Sequence, residues 1–217
     1  MGVIYSMVAF FQKGGLFMYP ILLVFAVGMS IAVERWFHLG RIRSDNRKVW
    51  EEVHPVLAEG EFERARELVN EDPSTISQML AMGLARQGAV RRREDIEIAM
   101  EESMMEIIPQ LEKRTPYLAL LSNIATLLGL LGTILGLIQA FTAVANANPA
   151  EKADLLSASI SVAMNTTAFG LIVAIPLMII HAKLTSTTGE IVDSLEMASV
   201  KALNSISNSA KRQYQTS

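Results

Sequence analysis

Charge is missing from three long stretches of this chain. Residues 115–150 run for 36 positions without a Lys, Arg, Asp or Glu, residues 155–182 for 28 more, and residues 14–33 for another 20. A hydrocarbon core is crossed by roughly 20 apolar helical residues. Each stretch is therefore long enough to span a bilayer, and an ordinary soluble enzyme is excluded. The 217-residue chain contains no cysteine. A disulfide framework, a thiol nucleophile and a Cys-ligated metal site are excluded with it. A pI near 5.7 and the lack of a long basic block argue against nucleic acid as a partner.

The first apolar run is read as a retained anchor. It is longer than the apolar core of a signal peptide and passes into Glu34 and Arg35 without a small-residue cleavage pattern. Positive charge then orients the spans. Between Glu34 and Arg114 lie 13 of the 19 Lys and Arg residues, and the tail from Lys183 adds four. Lys13 and Lys152 are the only two on the opposite sides. Seventeen against two, on alternate sides of three spans, follows the positive-inside rule. The N-terminus is expected outside, the large loop and the tail inside.

This gives an all-α membrane protein with three transmembrane helices and a helical cytoplasmic domain. The expected order is an outer segment (1–15), span one (16–36), a cytoplasmic helical domain (37–114), span two (115–147), an outer hairpin (148–154), span three (155–182) and a cytoplasmic helix and tail (183–217). Within the inner loop, Trp50, Val53, Val56 and Leu57 share a helical face, as do Phe62, Ala65, Leu68 and Val69. Breaks are predicted at Glu59–Gly60–Glu61 and at Asp72–Pro73–Ser74, with Ser74 as N-cap of a helix carrying Ile76, Met79, Leu80 and Gly83. A segment from Arg92 through Ile96, Met100 and Ile107 leads into span two, with kinks or restarts expected at Pro109 and Pro116. The Arg91–Arg92–Arg93 run reads as a solvated or headgroup-facing surface. A helix over residues 117–145 would reach about 43 Å against a core of ~30 Å, so spans two and three are expected to tilt or to protrude into the cytoplasm. The 4-3-4 spacing of Ile191, Leu195, Ala198 and Ala202 extends the tail as an amphipathic helix.

Span two carries a stripe of small residues. Ser122, Thr126, Gly129, Thr133, Gly136, Ala140 and Ala143 fall on one helical face, and Gly132 with Gly136 forms a GxxxG pair. Ala163, Thr167, Gly170 and Ala174 form a shorter counterpart in span three. Such faces let membrane helices approach closely. The two spans are antiparallel, and their charge-free cores centre near residues 131 and 168, which sets Thr133 and Thr167 at one depth near the midplane. Two hydroxyls there could line a hydrated proton path, or each could bond its own i−4 carbonyl in a packing seam. Apart from Glu34 and Arg35 at the inner end of span one, no Asp, Glu, Lys or Arg lies inside a span, although proton pathways usually depend on one. If protons move here, a partner must supply the titrating group. His181, at the inner end of span three, forms no metal spacing with His38 or His54, and no catalytic motif is present.

The run LLGLLGTILGLIQAF (127–141) resembles the second-span signature of the ExbB/TolQ/MotA proton-channel family, and TAFGLIVAIP (167–176) its third-span signature. Glu34-Arg35 after span one and LEKR (111–114) before span two are similar to the family as well, so the resemblance covers nearly the whole chain. It implies a bacterial inner-membrane stator subunit driven by proton-motive force. It further implies a homopentamer whose second and third spans surround two copies of a single-span ExbD- or TolR-like protein, with that partner's transmembrane Asp carrying H+ and a TonB-like protein as a possible recipient of force. Thr133 and Thr167 match the family's pore threonines. Ser122, Thr126, Gly129, Gly132, Gly136, Ala163, Gly170, Ala174 and Pro176 are then packing positions around the pore, and Glu34, Arg35 and His181 mark the cytoplasmic boundary. No catalytic residue, metal or cofactor is expected. Val162 stands where ExbB-like chains often carry a Glu, Thr126 replaces a common proline, and His181-Ala182 replaces an aromatic-Asn pair. The alternative is a membrane scaffold that oligomerises through the small-residue seam and conducts no ion.

Overall fold

A computed structural model describes residues 15–87 and 93–216, with side chains described through Ser209. The segment before Gly15 with Lys13, the arginines at 91 and 92, and the side chains of Lys211 and Arg212 lie outside the described residues. The chain is helical in the order α1 (Met18–Glu59), α2 (Phe62–Glu71), α3 (Thr75–Arg86), α4 (Arg93–Glu112), α5 (Thr115–Ala145) and α6 (Lys152–Thr216). Among the described residues, three helical stretches are long and apolar enough to cross a membrane: α1, the α4–α5 stretch, and α6.

Local chemistry explains the breaks. After Glu59 the backbone turns at Gly60, whose φ of +86° suits a residue without Cβ. Gly60 N–H donates to the Leu57 carbonyl and Glu61 N–H to that of Val56, the Schellman pattern that closes a helix C-terminus. At the next break Ser74 is extended and its hydroxyl accepts from Ser77 N–H, capping α3. The two prolines before span two behave differently. α4 runs through Pro109 to Glu112, whereas Pro116 sits in the first turn of α5, where its missing N–H costs no intrahelical bond. The interruption itself falls at Arg114, which adopts a left-handed conformation (φ +67°). In α6, 65 residues continue through Pro176 and beyond the end of the charge-free stretch, and α1 likewise joins span one to the Trp50–Leu57 segment in one 42-residue helix. At 1.5 Å per residue each is far longer than a ~30 Å hydrocarbon core.

The chain divides into two compact units, Met1–Glu34 with Arg114–Lys183 and Arg35–Lys113 with Leu184–Ser217. The first holds the three apolar stretches. Its interior combines small residues such as Ala125, Gly129, Ala163 and Ala174 with Met18, Ile21, Leu118 and Leu177, while Leu127, Ile134, Ile138, Ile172 and Ile179 are exposed on its outside. Large apolar side chains exposed along the whole of a charge-free helix suit a lipid environment. In the second unit, α2 packs on α3 and α3 on α4. Leu57, Ala65, Val69, Met79, Leu80, Met100 and Leu111 form its core, with Ile191, Leu195, Ala198 and Ala202 of α6 also buried. A Cβ on Gly83 would lie 2.7 Å from Met100 Cγ, so α3 and α4 approach closely there.

Candidate functional site

The small-residue stripe of α5 meets its counterpart on α6 with backbones nearly touching. A Cβ on Gly170 would sit 2.7 Å from the Ala125 carbonyl oxygen and 3.0 Å from Gly129 Cα. One on Gly132 would lie 2.5 Å from Thr166 Cγ2, and one on Gly136 2.9 Å from Ala163 Cβ. Glycine is required at these positions because any side chain would part the helices. Ser122 is buried and donates to the Ala174 carbonyl at 2.8 Å, tying the two helices together by a polar bond.

At the centre of this seam lie the two threonines. Thr133 Oγ1 donates toward the Gly129 carbonyl one turn back (3.2 Å) and lies 3.4 Å from the Ala163 carbonyl of α6. Thr167 Oγ1 lies 2.9 Å from the same Gly129 carbonyl, and the two hydroxyls are in hydrogen-bonding contact with each other. Both side chains are half-buried. The result is a small polar cluster of two hydroxyls and two carbonyls in a helix pair without a formal charge across either charge-free stretch. A hydroxyl both donates and accepts, so such a cluster can pass on or orient a proton-bearing group. It cannot itself titrate in the physiological range.

The remaining positions fall in different places. Ala140, Ala163 and Ala174 are buried in the seam, whereas Thr126, Ala143 and Pro176 are exposed on the outside of this unit. Thr126 bonds its own Ser122 carbonyl at 3.1 Å. Span one packs on α6 through Gly28, where a Cβ would be 2.7 Å from Leu177 Cδ2. His181 is half-buried. Val162 is exposed, and its γ-methyl would meet a Cβ on Gly15 at 3.3 Å.

Glu34 and Arg35, adjacent in α1, belong to different units. Glu34 accepts from Arg114 at 2.7 Å, an ion pair across 80 residues. Arg35 is 3% exposed and its Nη2 donates to the Leu111 carbonyl in the last turn of α4, where the helix dipole favours a cation. One determinant carried no sequence signal. Asn46, set among exposed charges, is buried. Its amide exchanges hydrogen bonds with Thr75 Oγ1 (2.8 and 2.9 Å) and accepts from Ile76 N–H, fixing α1 to the start of α3. Beside it, burial raises the Asp72 carboxyl, but bonds from the Ser74 side chain and N–H and from the Ser77 hydroxyl outweigh it and hold the pKa below the ordinary value.

Three apolar helical stretches and a glycine-lined seam carrying hydroxyls define an all-α, multi-pass membrane protein. The model of the MotA/TolQ/ExbB proton channel family matches residues 71–197, more than half of the chain and both threonines, and the chain belongs to that family. It is similar to a biopolymer transport protein ExbB homolog of Methanothermobacter thermautotrophicus, at 27% identity over 189 residues. It is also similar to a biopolymer transport protein ExbB-like 1 of Synechocystis, at 28% identity over 189 residues. The matches cover 86% and 84% of this chain but only 66% and 72% of those two proteins.

Proposed function

We propose that this chain is the channel-forming stator subunit of a proton-motive-force-driven complex of the ExbB–ExbD or TolQ–TolR kind. It sits in a bacterial inner membrane with its N-terminus outside and its tail in the cytoplasm, the positive-inside charge distribution supporting that orientation. The observation that carries the reading is the Thr133–Thr167 pair around the Gly129 carbonyl, inside the family's matched region. Five copies surround two copies of a single-span partner whose transmembrane Asp takes up and releases H+ beside this pair. The absence of any Asp, Glu, Lys or Arg within spans two and three, with Val162 in place of a Glu, leaves the partner as the sole carrier. Thr126 and Pro176, exposed on the separate chain, are surfaces for neighbouring molecules in the ring. Force is passed to a TonB-like or other envelope protein, and the chain performs no covalent chemistry and needs no cofactor.

The non-conducting scaffold remains the competing reading, because the same hydroxyl bonds stitch a packing seam. The native mass of the complex, extracted gently with its companions, separates the two. Five copies with two copies of an Asp-bearing single-span protein is the expected result. A clean homo-oligomer without such a companion would put the scaffold first.

A further inference from the structure

The seam between α5 and α6 has one closed edge and one open edge. Span one closes the first: a Cβ on Gly132 would lie 3.3 Å from Phe17 Cβ, and one on Gly28 2.7 Å from Leu177 Cδ2. Thr133 stands about 100° round α5 from Gly132, on the other edge. Two further polar residues fall there. Counting back from Thr133, Thr126 lies about 20° away and Asn123 about 80°. Both are exposed, in a stretch without a charged residue. The Thr126 hydroxyl donates to the Ser122 carbonyl at 3.1 Å, which leaves its lone pairs as acceptors. The Asn123 carboxamide, with two donors and an acceptor, makes no hydrogen bond among the described residues. A polar side chain at membrane depth faces protein or a water-filled cavity rather than lipid. Asn123, Thr126 and Gly129 follow one another at steps of about 4.5 Å along the helix axis. Thr167 Oγ1 lies 2.9 Å from the Gly129 carbonyl and touches the Thr133 hydroxyl, so α6 supplies the polar group beside exposed Leu130. The polar line therefore runs from the threonine pair to within about 12 Å of the start of α5 at Thr115.

We propose that Asn123 and Thr126 hold the water that carries protons between the Thr133–Thr167 pair and the cytoplasm. This rests on the proton-conducting reading above and names the exit path of the same site. Helix positions three apart have Cβ atoms about 5–6 Å from each other. One water bridges such a gap with two hydrogen bonds. Neither a carboxamide nor an aliphatic hydroxyl titrates near neutral pH, so these side chains hold waters in line and carry no charge themselves. A proton leaving the partner's carboxylic acid passes to the nearest water, and each water hands one on. The carboxylate left behind is ionised, and the last proton enters the cytoplasm. In the ring this edge borders the partner, and the polar line keeps water between the two. Leu120 and Ile124 mark the dry side of the same turns, about 120° and 160° round α5 from Thr126.

The chain has no cysteine, so single introduced cysteines report on water without background from this subunit. The intact complex is placed in vesicles with its cytoplasmic face outward and treated with a charged, membrane-impermeant methanethiosulfonate. Asn123→Cys and Thr126→Cys should react at least tenfold faster than Leu120→Cys and Ile124→Cys. Proton flux should fall at least tenfold in Asn123→Leu and be largely kept in Asn123→Ser, with native mass unchanged in both. Equal reactivity at the four positions, fast or slow, overturns the water line, the slow case meaning that a partner helix or lipid fills this edge. Unchanged flux in Asn123→Leu overturns the role of these residues while the stator reading stands. Selective labelling in a complex whose wild type passes no protons overturns the stator reading and the path with it.

Discussion

Thr133 Oγ1 of α5 and Thr167 Oγ1 of α6 both lie within hydrogen-bonding reach of one carbonyl oxygen, that of Gly129, at 3.2 and 2.9 Å, and with one proton each one hydroxyl donates to it while the other donates to its neighbouring hydroxyl. Gly129 has no side chain to shield that oxygen, and Gly170 opposite lets α6 come close enough for Thr167 to reach it. The glycines and the threonines are therefore one device: close approach creates the polar cluster.

Thr133→Val and Thr167→Val separate its two roles. Each replaces a hydroxyl by a methyl of similar size, and polar contacts between membrane helices average only ~0.6 kcal/mol. Native mass should be unchanged, while proton flux into vesicles holding the complete complex should fall at least tenfold. Thr→Ser at either position should retain most of the flux. Loss of assembly in both Val variants would instead assign the pair to packing.

Gly170→Ala should lower the thermal midpoint in detergent, because the new Cβ meets backbone atoms of α5 at 2.7 and 3.0 Å that cannot rotate away. Overpacking of this kind costs about 1–3 kcal/mol. Gly189→Ala is the control. Nothing lies within 4 Å of its Cβ, and it sits inside α6, so it should gain roughly 0.5–1 kcal/mol from helix propensity.

Arg35→Met should destabilise the second unit, since it strips a buried charge-assisted bond from the end of α4. Hydrogen bonds to charged groups contribute about 1.5–3 kcal/mol. The effect should appear as faster amide exchange in α4, with exchange in α5 little changed.

Asp72 predicts a pH dependence. Its folded-state pKa lies below the unfolded value, so its contribution to stability is present above the unfolded pKa and is lost as pH falls through the folded one. Acid titration of the wild type should loosen the α2–α3 turn first, read by amide exchange at Ser74 and Ser77. Asp72→Ala should lower stability at pH 7 and abolish that pH-dependent step.

Charge-free length, positive-inside bias and small-residue spacing are properties of the chain itself. They set three apolar stretches, an all-helical architecture and a seam of Gly, Ala, Ser and Thr before any contact was known. Ser74 as a cap and Gly60 as a stop were equally legible, since turn chemistry is local. The equal depth of Thr133 and Thr167 followed from antiparallel geometry, but their meeting at one carbonyl oxygen did not, because it depends on how far two helices approach. Arg114 rather than Pro109 interrupts the path into span two, and its ion-pair partner, Glu34, is 80 residues away. Asn46 was silent for the same reason: its neighbours in sequence are solvated charges, and its burial comes from the start of α3. Periodicity and composition report which faces seek cover. Which face covers which, and which polar groups are thereby forced to bond, is decided only when distant segments pack.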